Sequence, residues 1–311
     1  MKILITDGIE KSGADILLKA GLELTQKTFT PDDLLVAIED YDAIIVRSAT
    51  KVTKAVIDAG KNLKVIARGG VGLDNIDVEY AKMSGIKVLN TPKASSISVA
   101  ELTIAHLLAM GRFLPMSNIA MRHHEWPKKE FSKGIEITGK TLGIIGFGNI
   151  GTEVAKRALG LMMNVVAYDT YVKSTDLKGV KMVSKEELQS VADYITLHIP
   201  FDKASGPAIG KSDFEKMKNG VILINCARGG VVNERDLLEA LNSHKVMYAA
   251  LDVYEHEPPT SEEYELINHP RVSVTPHIGG STMEAQDRVG VEIAEKVVAT
   301  LGEFSTKETL V

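Results

Sequence analysis

The stretch from Thr141 to Asp169, TLGIIGFGNIGTEVAKRALGLMMNVVAYD, constrains the fold more than any other part of the chain. Thr141–Ile145 is a short apolar, partly β-branched run of buried-strand type, and glycines 146, 148 and 151 follow at once in G-x-G-x-x-G spacing. Apolar residues at helical spacing continue from Thr152 to Leu161, and Asn164–Tyr168 forms a second buried-type strand closed by Asp169. In that order the parts make a unit suited to a dinucleotide. Gly146 permits a tight turn, Gly148 lets a pyrophosphate approach the backbone, and Gly151 lets helix and strand pack closely. Asn149 and Ile150 open the helix, whose unpaired N–H groups and positive dipole end suit phosphates. Asp169 stands eighteen residues past the last glycine, placed to bond ribose hydroxyls and repel a 2′-phosphate, so NAD is expected rather than NADP.

Before this unit the chain alternates strands and helices from its start: strands at Lys2–Thr6, Glu23–Gln26, Ala43–Val46, Lys64–Ala67 and Lys87–Leu89, with helices between. Thr30 with Pro31 marks one helix start by its cap chemistry. A long helical stretch from about Ser98 to His123, kinked or broken near Pro115, leads through Trp126 into the glycine unit. Strands then recur at Tyr194–His198, Val221–Asn225, Met247–Leu251 and Arg271–Thr275, which with the two around the glycines predicts a six-strand sheet. A final helix, Met283–Leu301, is expected to return to the first sheet. The fold class is α/β, with two doubly wound parallel-sheet domains. A Rossmann cofactor domain, residues 98–280, is inserted in a discontinuous flavodoxin-like substrate domain, residues 1–97 and 281–311.

With a net charge of −5 and no long Lys/Arg block, nucleic acid and membrane surfaces are excluded as main partners. No run is long and apolar enough for a bilayer, and Met1–Asp7 enters a strand without a signal-peptide core. The single cysteine, Cys226, allows no internal disulfide, so a cytoplasmic location is expected. No metal site is expected: the adjacent His123 and His124 point about 100° apart on a helix, and no acid or Cys completes a set.

Three loops follow successive strands of the second sheet, at the ends where ligands bind in such folds. NCARGG (225–230) presents Arg228, DVYEHEPP (252–259) presents Glu257, and TPHIGG (275–280) presents His277. Hydride chemistry on an alcohol needs a base, a group that tunes it, and a cation for the substrate's carboxylate and oxygen, and these are the residue types on offer. His198 and Ile199 end another strand and are expected to line the cofactor cleft.

Together the mid-chain glycine turn and the N-x-A-R-G, E-P and P-H-x-G segments resemble those of the NAD-dependent D-2-hydroxyacid dehydrogenases over nearly the whole chain. The resemblance implies that His277 is the acid/base, that Glu257 holds and charges its imidazole, and that Arg228 pairs with the substrate carboxylate and C2 oxygen. It further implies that Asp252 lies near the nicotinamide carboxamide, and that the backbone of Cys226, Ala227 and Arg228 and of His277, Gly279 and Gly280 borders the ring. A homodimer is implied, with Trp126 at the subunit contact. Many phosphoglycerate-oxidising members carry a C-terminal regulatory domain, and serine feedback through one is not expected here.

Substrate choice is expected to belong to the first domain, in VRSATKVT (46–53) and RGGVGLDN (68–75). The backbone of Gly69–Gly72, including Gly70, Val71 and Gly72, suits an anion, and Arg47, with Arg68 and Lys51, offers more positive charge than lactate or glyoxylate needs, with Ser48 beside them as a further substrate contact. A phosphorylated 2-hydroxy acid explains it, as in the D-3-phosphoglycerate branch of the family. A glyoxylate or hydroxypyruvate reductase remains an alternative, as does a dinucleotide-sensing binding protein of the co-repressor type.

Overall fold

The computed structural model describes residues 1–308. Two compact units divide the chain, one made of residues 1–95 and those from Gly280 onward, the other of Ser96–Gly279.

The first unit carries β1 (Lys2–Ile5), α1 (Lys11–Lys19), β2 (Glu23–Gln26), α2 (Pro31–Ala37), β3 (Ala43–Val46), α3 (Lys54–Ala59), β4 (Val65–Arg68), α4 (Val78–Met83) and β5 (Lys87–Asn90). All pairings are parallel, in the order β2-β1-β3-β4-β5 of a flavodoxin-like sheet. The central strands are apolar on both faces, as AIIV of β3 illustrates, because helices cover both sides. α2 starts as its caps dictate: Thr30 Oγ1 accepts the Asp33 N–H at 3.2 Å, and Pro31 takes the first helical position.

The second unit opens with α5 (Ser96–Gly111) and α6 (Leu114–Arg122), bent by 66° to one another. The break falls ahead of Pro115, at Arg112 and Phe113, where Phe113 has φ 57°; Pro115 instead lies in the first turn of α6, where it needs no N–H partner. β6 (Thr141–Ile145), α7 (Asn149–Gly160), β7 (Asn164–Tyr168), β8 (Val180–Met182), α8 (Lys185–Val191), β9 (Tyr194–Leu197) and α9 (Lys211–Lys216) come next. β10 (Val221–Asn225), α10 (Glu234–Asn242), β11 (Val246–Leu251), α11 (Tyr264–Ile267) and β12 (Val272–Val274) complete the unit.

Its sheet has seven parallel strands in the order β12-β11-β10-β9-β6-β7-β8, not six. The seventh, β8, is an edge strand reading VKM without a buried residue, so no apolar run announces it. Among the described residues no single helix is long and apolar enough to cross a membrane.

α12 (Met283–Glu308) rejoins the first unit and runs seven residues past the expected end. Ala285, Val289, Ile293, Val297 and Leu301 recur every fourth position and are buried, and the last three pack in the core of Ile3, Ile5, Ile45 and Ala67. α1 crosses it closely at Gly13, where a Cβ would lie 2.4 Å from the Gly290 carbonyl oxygen.

Candidate active site

β10 is buried along its length, and its last residue shapes the loop beyond it. Asn225 Oδ1 accepts the Ala227 N–H and its amide donates to the Arg228 carbonyl, both at 3.0 Å, so one side chain folds the loop that presents Arg228. The next residue approaches the neighbouring loop backbone to backbone: a Cβ on Gly229 would sit 1.7 Å from the Tyr254 carbonyl oxygen. Glycine alone fits there. Cys226 is buried, which pushes its thiol up to about 12 with Asp252 adding to the effect, so it is no nucleophile.

At the end of β11, Asp252 is buried and braces the third loop. Its Oδ1 accepts from Thr275 Oγ1 at 2.6 Å and the Ile278 N–H at 2.9 Å, and its Oδ2 accepts the Gly279 N–H at 2.8 Å. These bonds hold both sides of His277, whose φ of 52° is left-handed backbone that costs a side-chain-bearing residue about 1–3 kcal/mol. Tyr254 adds a further tie, its hydroxyl lying 3.2 Å from the Leu251 carbonyl and 3.0 Å from that of Thr275.

So held, His277 Nδ1 lies 2.6 Å from Glu257 Oε2. A carboxylate only accepts, so Nδ1 carries the hydrogen and Nε2 is left as the atom that takes or gives a proton. Glu257 Oε1 accepts the Tyr254 N–H at 3.2 Å. Burial alone would raise the Glu257 carboxyl, but its bond to His277, the Tyr254 N–H and the Arg228 charge together hold it below the ordinary carboxylate range. Arg228, Glu257 and His277 therefore act on one another within a single locale, and the His277 ring is open to solvent.

The glycine turn lies at the end of β6. Gly146, at φ 95°, packs on the end of β9, where a Cβ would meet the His198 carbonyl oxygen at 2.4 Å. Gly151 packs on Gly146, a Cβ there falling 2.1 Å from its carbonyl oxygen. Gly148 differs: it is exposed and a Cβ would meet nothing within 4 Å, leaving the head of α7, with Asn149 and Ile150, open to an approaching phosphate. Asp169 closes β7 and accepts the Phe147 and Tyr171 N–H groups at 2.7 Å and that of Val172 at 3.0 Å. Burial would raise its carboxyl, but these three N–H groups and Lys173 keep it below the usual range. Oδ2 bears one of those bonds and keeps acceptor capacity for a hydroxyl. These residues fit a dinucleotide. His198 points its Nε2 to Thr196 Oγ1 at 3.1 Å, and burial drives its pKa down to about 3, so it is a neutral wall and not a base. Ile199 shares that wall, its side chain close to Gly146. Gly280 opens the return to the first unit and accepts from Gln286 Nε2 at 2.7 Å.

In the first unit, Asp7 organises the loop after β3, accepting the Arg47 N–H at 2.7 Å, the Thr50 N–H at 3.0 Å and Thr50 Oγ1 at 2.6 Å. Arg47 lines a cavity of about 470 Å³ with Ser48, Glu10, Ser281 and Thr282. Burial lowers the Arg47 guanidinium, and the charges of Glu10 and Asp7 oppose that shift, so the cation has acids about it. Arg68 Nε donates to the Arg47 carbonyl at 3.3 Å, and its guanidinium lies against Gly70. The loop beyond is tied by its carbonyls, Gly70 accepting the Thr91 N–H at 3.0 Å and Val71 the Asn90 amide at 2.7 Å, with Gly72 next in the chain.

Several contributors escape a reading by motif. His106, on the mostly apolar second half of α5, meets Thr275 Oγ1 at 3.1 Å, and since that hydroxyl gives its hydrogen to Asp252, His106 Nε2 is the donor. A lone histidine among leucines is its one signal. Glu234, at the head of α10, reads from sequence only as a favourable helix-start acid. Among the described residues no group of three or more His, Cys, Asp or Glu side chains is arranged to hold a metal ion.

The family described as "D-isomer specific 2-hydroxyacid dehydrogenase, NAD binding domain" matches residues 104–279. A hydroxypyruvate reductase of Thermotoga maritima is 48% identical over 97% of this chain and 98% of its own. A D-3-phosphoglycerate dehydrogenase of Archaeoglobus fulgidus is 47% identical over 96% of this chain, which spans only 57% of that longer protein. The crystal structure of a glyoxylate reductase from Paecilomyes thermophila superposes with a TM-score of 0.86 at 31% identity, covering 96% of this chain and 94% of that one.

Proposed function

The chain belongs to the D-isomer specific 2-hydroxyacid dehydrogenase family, whose NAD-binding domain it carries, and on that premise we propose that it oxidises D-3-phosphoglycerate to 3-phosphohydroxypyruvate. The observation that carries the chemistry is the 2.6 Å pairing of His277 Nδ1 with Glu257 Oε2 beside the Arg228 charge. Bound at the glycine turn, NAD supplies the hydride acceptor. His277 Nε2 takes the C2 hydroxyl proton, and in reduction returns it to the carbonyl oxygen. Glu257 keeps the ring's orientation and stabilises the imidazolium formed. Arg228 offers a planar fork to the substrate carboxylate and polarises the C2 oxygen. In the first unit, Arg47 and Ser48 would take a phosphate in the cavity beside Ser281 and Thr282.

A second reading, reduction of hydroxypyruvate, is favoured by Glu10 and Asp7, which offset the charge of Arg47 and disfavour a dianion there. Initial rates of NADH oxidation with phosphohydroxypyruvate, hydroxypyruvate and glyoxylate decide between them. A preference of kcat/KM for the phosphorylated acid supports the first reading, and a preference for either unphosphorylated acid overturns it. The intact Arg228, Glu257 and His277 favour an enzyme over a dinucleotide sensor, and turnover of none of these acids by a protein that binds NADH would reverse that. We further propose a cytoplasmic homodimer. Leu114, Ile119, Met121 and Trp126, all exposed in one segment, support a subunit contact, to be checked by sedimentation.

A further inference from the structure

We propose that Glu234 positions Glu257 beside His277, acting as a carboxyl acceptor that ties the Glu257 loop to the head of α10. This rests on the acid–base reading of His277 and Glu257.

Glu234 is the first residue of α10, on the stretch of chain that has just left the Arg228 loop. Its Oε1 accepts the Glu255 N–H at 2.8 Å. One residue earlier, Tyr254 gives its N–H to Glu257 Oε1 and presses its carbonyl against Gly229. The Glu257 loop is thus fixed at two consecutive residues, by contact on Gly229 and by a hydrogen bond to Glu234. Both fixing residues belong to the segment that carries Arg228, so one tether sets Glu257 and Arg228 relative to each other. Further along the loop, Glu263 accepts the His256 and Thr260 N–H groups, each at 2.6 Å, and holds its other end.

The choice of a carboxyl at this place comes from its surroundings. Glu234 is part-buried and its Oε2 is shut off from solvent. The charged groups facing it are Glu263, Glu255 and His256. Burial pushes its pKa up to about 7; Glu263 and Glu255 add to the rise, while the Glu255 N–H and His256 oppose it. Below that value Glu234 is a neutral acceptor and adds no third negative charge to the two acids. A folded-state value above the ordinary one means that Glu234 contributes stability at low pH that is lost as pH climbs toward and through about 7, the cost coming from burial and the neighbouring acids.

Three variants test the role by the pH profile and the kcat and KM of keto-acid reduction with NADH, using whichever of phosphohydroxypyruvate and hydroxypyruvate the protein turns over faster. Glu234→Ala removes the acceptor and Glu234→Asp withdraws it by one methylene. Each is expected to lower kcat about tenfold, the effect of one lost hydrogen bond, with KM for the keto acid changed less than about threefold. Their pH profile should also change, because the Glu257 carboxylate is no longer held in place beside the acid–base centre. Glu234→Gln keeps an oxygen acceptor without the ionisation and is expected to restore kcat to within about threefold of the parent. Wild-type kcat and pH profile in the folded Ala or Asp variant overturn the proposal, as does a Gln variant no better than Ala. His277→Ala runs beside them: if it keeps full turnover, the acid–base reading falls instead.

Discussion

The loops at the strand ends of the second unit and those of the first are built by different means. After β10, β11 and β12, side chains fasten backbone: Asn225 folds the Arg228 loop, Asp252 holds the residues on both sides of His277, and Tyr254 joins two strand ends. The His277–Glu257 pair that these loops present is a direct hydrogen bond beside the Arg228 charge. After β3, Asp7 fastens the backbone in the same way, but Arg47 points into a wide cavity among acids and is fixed by no single partner that defines its task. Reaction chemistry can be written into a few residues at fixed spacing. Specificity depends on the charge balance of a neighbourhood drawn from distant parts of the chain.

If that division holds, damage to the second unit's loops falls on all substrates alike. His277→Ala has the largest expected effect, a loss of kcat on the order of 10² to 10⁴ with every 2-keto acid, while NADH binding, read by fluorescence titration, is kept. Near-normal turnover with any one acid would break the comparison at its root. Arg228→Lys comes next. A point charge cannot reproduce the planar fork, and kcat/KM should fall about 10- to 100-fold for phosphorylated and unphosphorylated acids equally. A loss confined to one of them would move specificity into the second unit.

The first unit should show the opposite behaviour. Arg47→Ala is expected to reduce kcat/KM for phosphohydroxypyruvate about tenfold, the effect of one charge-assisted contact, and to leave glyoxylate within about twofold. Equal losses for both acids would give Arg47 a role in the shared chemistry.

Legibility in the sequence divides along the same line. The glycine turn, Asp169 and the loops of Arg228, Glu257 and His277 stand out because each needs particular residue types at fixed distances along the chain. α2 is legible from Thr30 and Pro31, and the parallel sheets from doubly buried strands such as AIIV. β8 is not, since an edge strand of three residues with lysine at its centre has no apolar period to detect. The break between α5 and α6 is legible near Pro115, although the turn itself falls at Phe113 and the proline sits in the first turn of α6, which it suits. Glu234 and His106 read as ordinary polar residues, and Asp252 gains a place only through the family resemblance. Their work lies in bonds to residues such as Glu255, Thr275 and Gly279, which neither period nor motif connects to them.

Glu10 shows the same difficulty in the first unit and yields the smallest effect. At the N-cap of α1 it resembles any helix-start acid, and only the folded chain brings it to the cavity of Arg47. Its carboxylate acts on the same guanidinium that a substrate phosphate would use, and on the proposed reading it would repel that phosphate directly. Glu10→Gln removes the charge and keeps the shape. Partly exposed charges of this kind are worth about 0.2–1 kcal/mol, so kcat/KM for phosphohydroxypyruvate should rise about 1.4- to fivefold while that for hydroxypyruvate stays put. The gain should shrink as salt is added, because screening reaches an open cavity. A rise for both acids would mean that Glu10 acts on the fold and not on the charge. No rise for either would leave Arg47 without a competing acid, and the case for an unphosphorylated substrate would lose its support.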